Sequence, residues 1–366
     1  MESQKDSFVV ESLCCVEKKC YLCRMKYDVT IAIPVYNAEK YLRGTLLSAL
    51  SQDYPSIEYL MLDDCGTDGS MNIIRQLQCE HPRGSDIQIV SQEFNKGIGA
   101  ARNRVLKEAQ GRYLYFLDAD DLILPNTISL MMEQVREYQA EVVMASYERI
   151  ELYHKEPQKI DYKLPRRTFL QGVDFATYAF SGYGVLQANI WNVLIDLNLV
   201  RQNGLQFVNT NFWEDMAFKY ELVTYVTRAV LLPDVTYSYM CRENSLSNFQ
   251  HRDIIMKDEV FRNVATMDTL KYHWQWVLWR PYFAKWLQFV LDTDFFIICE
   301  TLRQRGKIRP EVTDTELRNI LYSPLSVLQT LRHGNPRCWF YKLLSILPSK
   351  ISIGLIKMSG KVKLND

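Results

Sequence analysis

Val29-Thr-Ile-Ala-Ile-Pro34, followed by Ala38 to Ser51 with apolar residues at Tyr41, Leu42, Leu46, Ala49 and Leu50, decides the fold. The first run is short, apolar and β-branched. The second sets its apolar side chains on one face of a 3.6-residue period, so a strand feeds a helix. The cadence then repeats. Ile57 to Leu62 reads as a buried strand, Asp64 to Ser70 as a polar turn, and Met71 to Cys79 as a helix. Ile87 to Ser91 is a third strand, Gly97-Ile-Gly99 opens a helix to about Ala109, and Tyr113 to Leu117 is a fourth strand. Pro125-Asn126 starts a further helix before a strand over Glu141 to Ser146. Short strands alternating with helices predict an α/β domain of parallel β-α-β units with right-handed crossovers. From about Gln250 only helical spacing remains, with Trp274, Trp276, Trp279, Trp286 and Phe289 close together, which reads as core packing.

Composition narrows the classes. The chain has 366 residues, 48% hydrophobic and 23% charged, and its 43 basic side chains cancel 43 acidic ones. That is an ordinary globular composition, with length for about two domains, and it excludes disordered, collagen-like and coiled-coil readings. Zero net charge removes the broad attraction to phosphate backbones, so no nucleic-acid partner is expected. No run of eighteen apolar residues suggests a membrane-spanning helix, and Met1 to Lys26 lacks the apolar core of a signal peptide, which points to a reducing cytoplasm. Nine cysteines, an odd number, argue against a disulfide framework. Cys20-x-x-Cys23 offers half of a zinc site and no second pair follows at finger spacing, so residues 1–26 read as an N-terminal extension, with Met25 an alternative start.

In open α/β sheets, ligands bind beyond the carboxyl ends of the strands. Those ends here are Pro34-Val-Tyr36-Asn37, Asp63-Asp64 and Asp118-Ala-Asp120-Asp121. Five carboxylates at what the pattern takes for two neighbouring strand ends would repel one another unless a cation were present. Asp118-x-Asp120 supplies two hard oxygen ligands, and Mg²⁺ or Mn²⁺ typically takes one or two carboxylates and completes its shell with phosphates and water. The pattern suits a metal–diphosphate site.

Five stretches in order resemble the inverting glycosyltransferases of family 2, which have the nucleotide-sugar-binding GT-A fold. They are Ile33-Pro-Val-Tyr-Asn-Ala-Glu-Lys-Tyr41, Leu62-Asp-Asp-Cys-Gly-Thr-Asp-Gly-Ser70, Asn95-Lys-Gly-Ile-Gly-Ala-Ala-Arg-Asn103, Gly111-Arg-Tyr-Leu-Tyr-Phe-Leu-Asp-Ala-Asp-Asp121 and Phe212-Trp-Glu-Asp-Met-Ala-Phe218. The resemblance implies a GT-A domain over residues 27–249 and a helical C-terminal region over 250–366. It implies that Pro34, Tyr36 and Asp64 hold the nucleotide base, with Tyr36 stacking and Asp64 accepting an imide N–H, as in UDP. Asp120 would ligate the metal, with Asp118 facing the ribose or the metal, and Asn95 and Arg102 would assist the diphosphate. Asp215 matches the general base, which takes the acceptor hydroxyl's proton. Glu214 would point at the acceptor or cap the following helix, and Trp191 and Trp213 would floor the sugar site. Tyr237 to Arg242 with Ser245 and Ser247 resembles a loop that closes over the nucleotide, with Arg242 a diphosphate contact.

Two positions depart from the family pattern. Cys65-Gly66 stands where members commonly have Gly-Ser, and Val193 where they commonly have Lys, which removes a cation near the donor or acceptor. The expected reaction is metal-assisted transfer of one sugar from a nucleotide sugar to an acceptor hydroxyl on a glycan or lipid-linked saccharide, in bacterial capsule, exopolysaccharide or lipopolysaccharide assembly. A sugar nucleotidyltransferase would want a Gly-rich, basic loop after the first strand, and Pro34-Val-Tyr-Asn37 is not one. A non-catalytic nucleotide-sugar-binding scaffold would not need a base, and Asp118, Asp120 and Asp215 stand together here. The last 36 residues carry seven Lys or Arg and one acid, Asp366, a net of +6. Trp339, Phe340, Leu343, Leu344 and Leu347 there suggest a peripheral contact with the inner face of the cytoplasmic membrane.

Overall fold

The computed structural model describes residues 26–153, 156–182, 186–187, 189–210, 213–242 and 254–359. The four-cysteine cluster (Cys14, Cys15, Cys20, Cys23), Phe212, Ser245, Ser247 and residues 360–366 lie outside them. Strand β1 (Tyr27–Val35) shows why the sheet is central: Val29, Ile31, Ile33 and Val35 enter one core and Ala32 the opposite one. That alternation is the two-residue period of a strand buried on both faces. Helix α1 (Glu39–Leu50) lays Leu42, Leu46, Ala49 and Leu50 on the first face. Strand β2 (Ile57–Asp63), α2 (Ser70–Glu80), β3 (Ile87–Ser91), α3 (Ile98–Glu108) and β4 (Gly111–Phe116) complete a parallel half-sheet in the order β3-β2-β1-β4.

Strand β1 therefore separates β2 from β4. The five carboxylates read as sitting on neighbouring strand ends divide into Asp63-Asp64 on one side of β1 and Asp118, Asp120 and Asp121 on the other.

Past β4 the sheet departs from the simple parallel pattern. After β5 (Leu122–Ile123) and α4 (Thr127–Tyr138), β6 (Val142–Glu151) runs in the β4 direction but does not pair with it. Downstream lie β7 (Gln158–Tyr162), β8 (Arg167–Phe169), α5 (Asp174–Ala179) and β9 (Val193–Asp196), and β9 inserts antiparallel between β4 and β6. Helices α6 (Leu197–Gln202) and α7 (Glu214–Tyr225) follow, and β10 (Ala229–Cys241) pairs parallel to β6. Tyr237 to Cys241 is thus the end of a thirteen-residue strand, not the loop that the sequence suggested, and Arg242 is the first residue past its carboxyl end.

The rest is helical apart from a two-residue pairing of β11 (Ile255–Met256) with β12 (Ile308–Arg309). Helices α8 (Lys257–Tyr272), α9 (Trp274–Val277), α10 (Phe283–Arg303), α11 (Asp314–Ile320), α13 (Pro336–Ile346) and α14 (Ser349–Met358) contribute to the core on the second face of the sheet, and α12 (Val327–His333) packs against α13. Thr313 and Ser326 cap α11 and α12 through capping boxes, and Asn335 accepts from two N–H groups of α13. Trp286 and Phe289 enter the core as expected, whereas Trp276 and Trp279 are exposed. Buried Lys271 on α8 pairs with buried Asp294 on α10 at 2.8 Å and donates to Ile320 O of α11 at 2.7 Å, tying three helices together. Among the described residues no helix is long and apolar enough to cross a membrane.

Candidate active site

The carboxyl ends of β1, β2, β4 and β10 open on one edge of the sheet, and the N-terminus of α7 points to the same place. At the end of β1, Pro34 is buried in register with Leu62, while Tyr36 is 52% exposed. Asp64 follows β2 and is buried. Its Oδ1 accepts from Gln92 Nε2 at 2.5 Å and from the Lys96 amide at 3.0 Å, and burial raises its pKa. Cys65 holds a left-handed backbone (φ 58°), the region that favours glycine, at the departure from the family's Gly-Ser. Asp63 Oδ1, accepting from the Cys65 amide at 3.0 Å, steadies that turn.

The motif Asn95-Lys-Gly97-Ile-Gly99 is structural at both glycines. Gly97 takes φ 84° at the start of α3, and a Cβ on Gly99 would stand 2.3 Å from Val208 O. The second contact seats α3 against the segment that leads to α7. Asn95 is exposed and its Oδ1 accepts from the Gly97 amide at 3.0 Å, so it caps this turn.

Arg102 is where the structure departs most from the sequence reading. Expected beside the diphosphate, it is 4% exposed and lies beneath the carboxylates. Its Nη1 donates to Glu214 Oε1 at 2.6 Å and its Nη2 lies 3.5 Å from Asp118 Oδ1, with the guanidinium packed near the rings of Phe116 and Phe207. One buried cation thereby joins the end of β4 to the first turn of α7. Burial disfavours the Arg102 charge, and Glu214, Asp118 and Asp215 more than offset that. Burial and the neighbouring Asp215 raise the pKa of Glu214, and burial outweighs Arg102 in raising that of Asp118.

Asp120 accepts from Arg242 Nη1, while Arg242 Nη2 donates to the Asp120 carbonyl at 2.8 Å and the guanidinium sits 3.7 Å from the Tyr41 ring centroid. Tyr41 lies on α1 within the first motif, and its cation–π contact is legible only in three dimensions. Asp121, buried, accepts from Tyr237 OH at 2.6 Å and from the Met240 amide at 2.8 Å, which latches the Asp motif to β10. Trp191 is 7% exposed and stacks on Tyr237 at 4.4 Å, so the ring expected in the sugar-site floor instead braces β10 from within.

Asp118 and Asp120 fit a divalent cation. Their side chains are 31% and 41% exposed, both have raised pKa values, and Asp120 already holds a positive group, the Arg242 guanidinium. Among the described residues no group of three or more His, Cys, Asp or Glu forms a ready cage. Two carboxylates with phosphate completing the shell is the ordinary arrangement for Mg²⁺.

Glu214 and Asp215 open α7, where the helix N-terminus favours negative charge. Asp215 Oδ1 accepts from the Met216 amide at 2.7 Å, and the side chain is only partly buried. Trp213, immediately before them, has a left-handed backbone (φ 64°), which costs a bulky residue about 1–3 kcal/mol. Four residues after Asp215, buried Lys219 donates to Gln187 O at 3.0 Å and Asn189 Oδ1 at 2.8 Å. It lines a cavity of about 110 Å³ whose wall includes Val193.

Burial pushes the Lys219 ammonium down to about 7 from 10.5. Between those values the unfolded chain holds a proton that the folded chain lacks, so this group makes stability rise with pH across that window. Urea midpoints measured from about pH 7 to about pH 10 will show wild type gaining on Lys219→Met as pH rises. A constant difference between the two would contradict the assignment.

The description "Glycosyl transferase family 2" matches residues 30–184. An uncharacterized glycosyltransferase of Haemophilus influenzae is 30% identical over 218 residues, which cover 58% of this chain and 78% of that protein. This chain belongs to glycosyltransferase family 2. Another relative, the Escherichia coli UDP-Glc:alpha-D-GlcNAc-diphosphoundecaprenol beta-1,3-glucosyltransferase WfaP, is 28% identical over 65% of this chain and 86% of its own length. Two further glycosyltransferase relatives are matched over only 31% and 36% of their own lengths. The crystal structure of S. aureus TarS 1-349 in complex with UDP-GlcNAc shares the fold, GT-A, with a TM-score of 0.61 at 19% identity over 91% of this chain and 88% of that one.

Proposed function

We propose that this family 2 enzyme moves one hexosyl or hexosaminyl unit from a UDP-sugar to an acceptor hydroxyl of a bacterial cell-surface glycan or lipid-linked oligosaccharide, with inversion. The observation that carries the reading is the Arg102 bridge, which fixes the Asp118 end of β4 and the Glu214–Asp215 start of α7 to each other. In this reading a donor-side carboxylate pair and a partly exposed carboxylate stand near one another through Arg102. The UDP-glucose donor and diphosphoundecaprenol-linked acceptor of WfaP, and the UDP-GlcNAc bound in the TarS complex, support the choice of donor and acceptor class.

In this reading the exposed Tyr36 ring stacks on the base and Asp64, fixed by Gln92 and Lys96, accepts the imide N–H. Asp118 and Asp120 would hold Mg²⁺ or Mn²⁺, which offsets the charge building on the departing diphosphate. Arg242 leaves Asp120 and donates to the diphosphate. Asp215 accepts the proton of the acceptor hydroxyl as that oxygen attacks the anomeric carbon from the face opposite the leaving group. Glu214 remains on Arg102 and orients the first turn of α7.

The site works at the cytoplasmic face of the membrane, with α13 and α14 as a peripheral contact. Trp339, Phe340, Leu343, Ile346, Ile351 and Met358 are exposed there beside Lys350 and Lys357, a pattern that suits anionic headgroups. Leu344, expected on that surface, is buried.

Slow hydrolysis of α-linked UDP-sugars, with water as acceptor, tests the stereochemistry. Proton NMR of freshly released sugar should show the β anomer before mutarotation; the α anomer first would rule out inversion.

A further inference from the structure

Trp213 and Phe296 meet edge to face at 5.8 Å, joining the start of α7 to the middle of α10. The pair forms part of the wall of two cavities, one of about 490 Å³ and one of about 210 Å³. The larger falls within the ordinary small-ligand range of about 300–1,000 Å³. Its wall is aromatic at Trp213, Tyr220, Phe289 and Phe296 and charged at Asp292, Arg303 and Arg337. The charges around it are matched: Arg337 pairs with Asp292 at 2.8 Å, and Arg303 pairs with Glu300. Such a surface offers hydrogen-bond donors, acceptors and flat apolar faces without net charge. That chemistry suits a neutral sugar ring, with apolar C–H faces and a hydroxyl rim, better than a phosphate or a lipid chain.

Position supplies the second argument. Trp213 directly precedes Glu214 and Asp215, and its left-handed backbone is strained for so large a residue. Strain of this kind persists where the surroundings fix it, and it clusters at ligand clamps. Here it aims the indole at α10 while the next two residues begin the helix bearing the base. We propose that the cavity between α7 and α10 is an acceptor subsite in which Trp213 and Phe296 carry the neutral sugar unit next to the one whose hydroxyl reaches Asp215. The helical C-terminal region thereby takes part in acceptor recognition. The subsite rests on the transferase reading for its role, while its affinity for saccharide is independent of the donor.

Protein labelled with 5-fluorotryptophan carries seven indole reporters, and Trp213→Phe identifies the Trp213 resonance. The labelled wild type is titrated with methyl glycosides of glucose, galactose and N-acetylglucosamine without nucleotide. The Trp213 signal is expected to move with at least one of them. Phe296→Ala should weaken that glycoside about tenfold, the worth of one aromatic contact, and Phe296→Trp should retain it. No movement of Trp213 with any glycoside would overturn the proposal, as would equal affinity in Phe296→Ala. The wild-type titration needs no variant to fold. Nucleotide-sugar hydrolysis by wild type is measured in parallel. Glycoside binding without hydrolysis of any UDP-sugar would leave the subsite standing and remove the donor reading; hydrolysis without glycoside binding would do the reverse.

Discussion

Asp215→Asn should lower sugar transfer by about 10²–10⁴-fold, the usual worth of a positioned general base, while leaving nucleotide binding at the wild-type level. The amide is nearly isosteric and can still accept from the Met216 amide through its oxygen, as Asp215 Oδ1 does at 2.7 Å, so α7 keeps its first turn. What disappears is a group able to take a proton from the attacking hydroxyl. The partial exposure of Asp215 sets it apart from Glu214, which is buried and committed to Arg102. Glu214→Gln should accordingly be the milder change. Calorimetric nucleotide affinity and initial transfer rate separate the two effects, and a transfer rate within about threefold of wild type in Asp215→Asn would remove this residue from the base role.

Arg102→Ala should cost about 3–5 kcal/mol of folding stability, because it removes the cation from a buried ion pair and strands its partner. Glu214 would be left buried without its cation, with its pKa already raised by burial and by Asp215. Loss of Arg102 also removes the favourable charge beside Asp118, so both acids move further toward their neutral forms. Arg102→Met combined with Glu214→Leu should recover most of the loss, since an apolar pair of similar volume often replaces a buried ion pair at little cost. Chemical denaturation checks this, and a loss under about 1 kcal/mol in Arg102→Ala would show that the bridge does not hold the two elements together.

The sequence carried the part of the fold that repeats. From Val29 to Phe116 each strand is an apolar run of ordinary length, each helix has one apolar face, and each connection is short, so period and turn chemistry locate every element. Strand β9 escaped because Val193-Leu-Ile-Asp196 is four residues long and is a strand only through pairing with β4 and β6, far away in sequence. Its insertion cannot be seen in a local window. Tyr237 to Cys241 escaped for a similar reason, since its place in the sheet depends on the register with β6.

The acids and the tyrosine proposed for the site were visible at the strand ends, although their roles came from the resemblance. Their partners were not. Arg102 looks like a surface cation one turn into a helix, and only the packing of α3 against the segment before α7 shows it buried between Asp118 and Glu214. Lys219 is likewise one charge on an otherwise buried helix face, and Phe296 sits in a region without motifs.

The most direct test of the account is a calorimetric titration of the purified protein with UDP, with and without Mn²⁺, alongside Asp120→Asn. The account predicts UDP binding that strengthens with Mn²⁺ in wild type and loses that metal dependence in Asp120→Asn. Absence of UDP binding with or without the metal would contradict it and make the strand-end carboxylates a structural cluster.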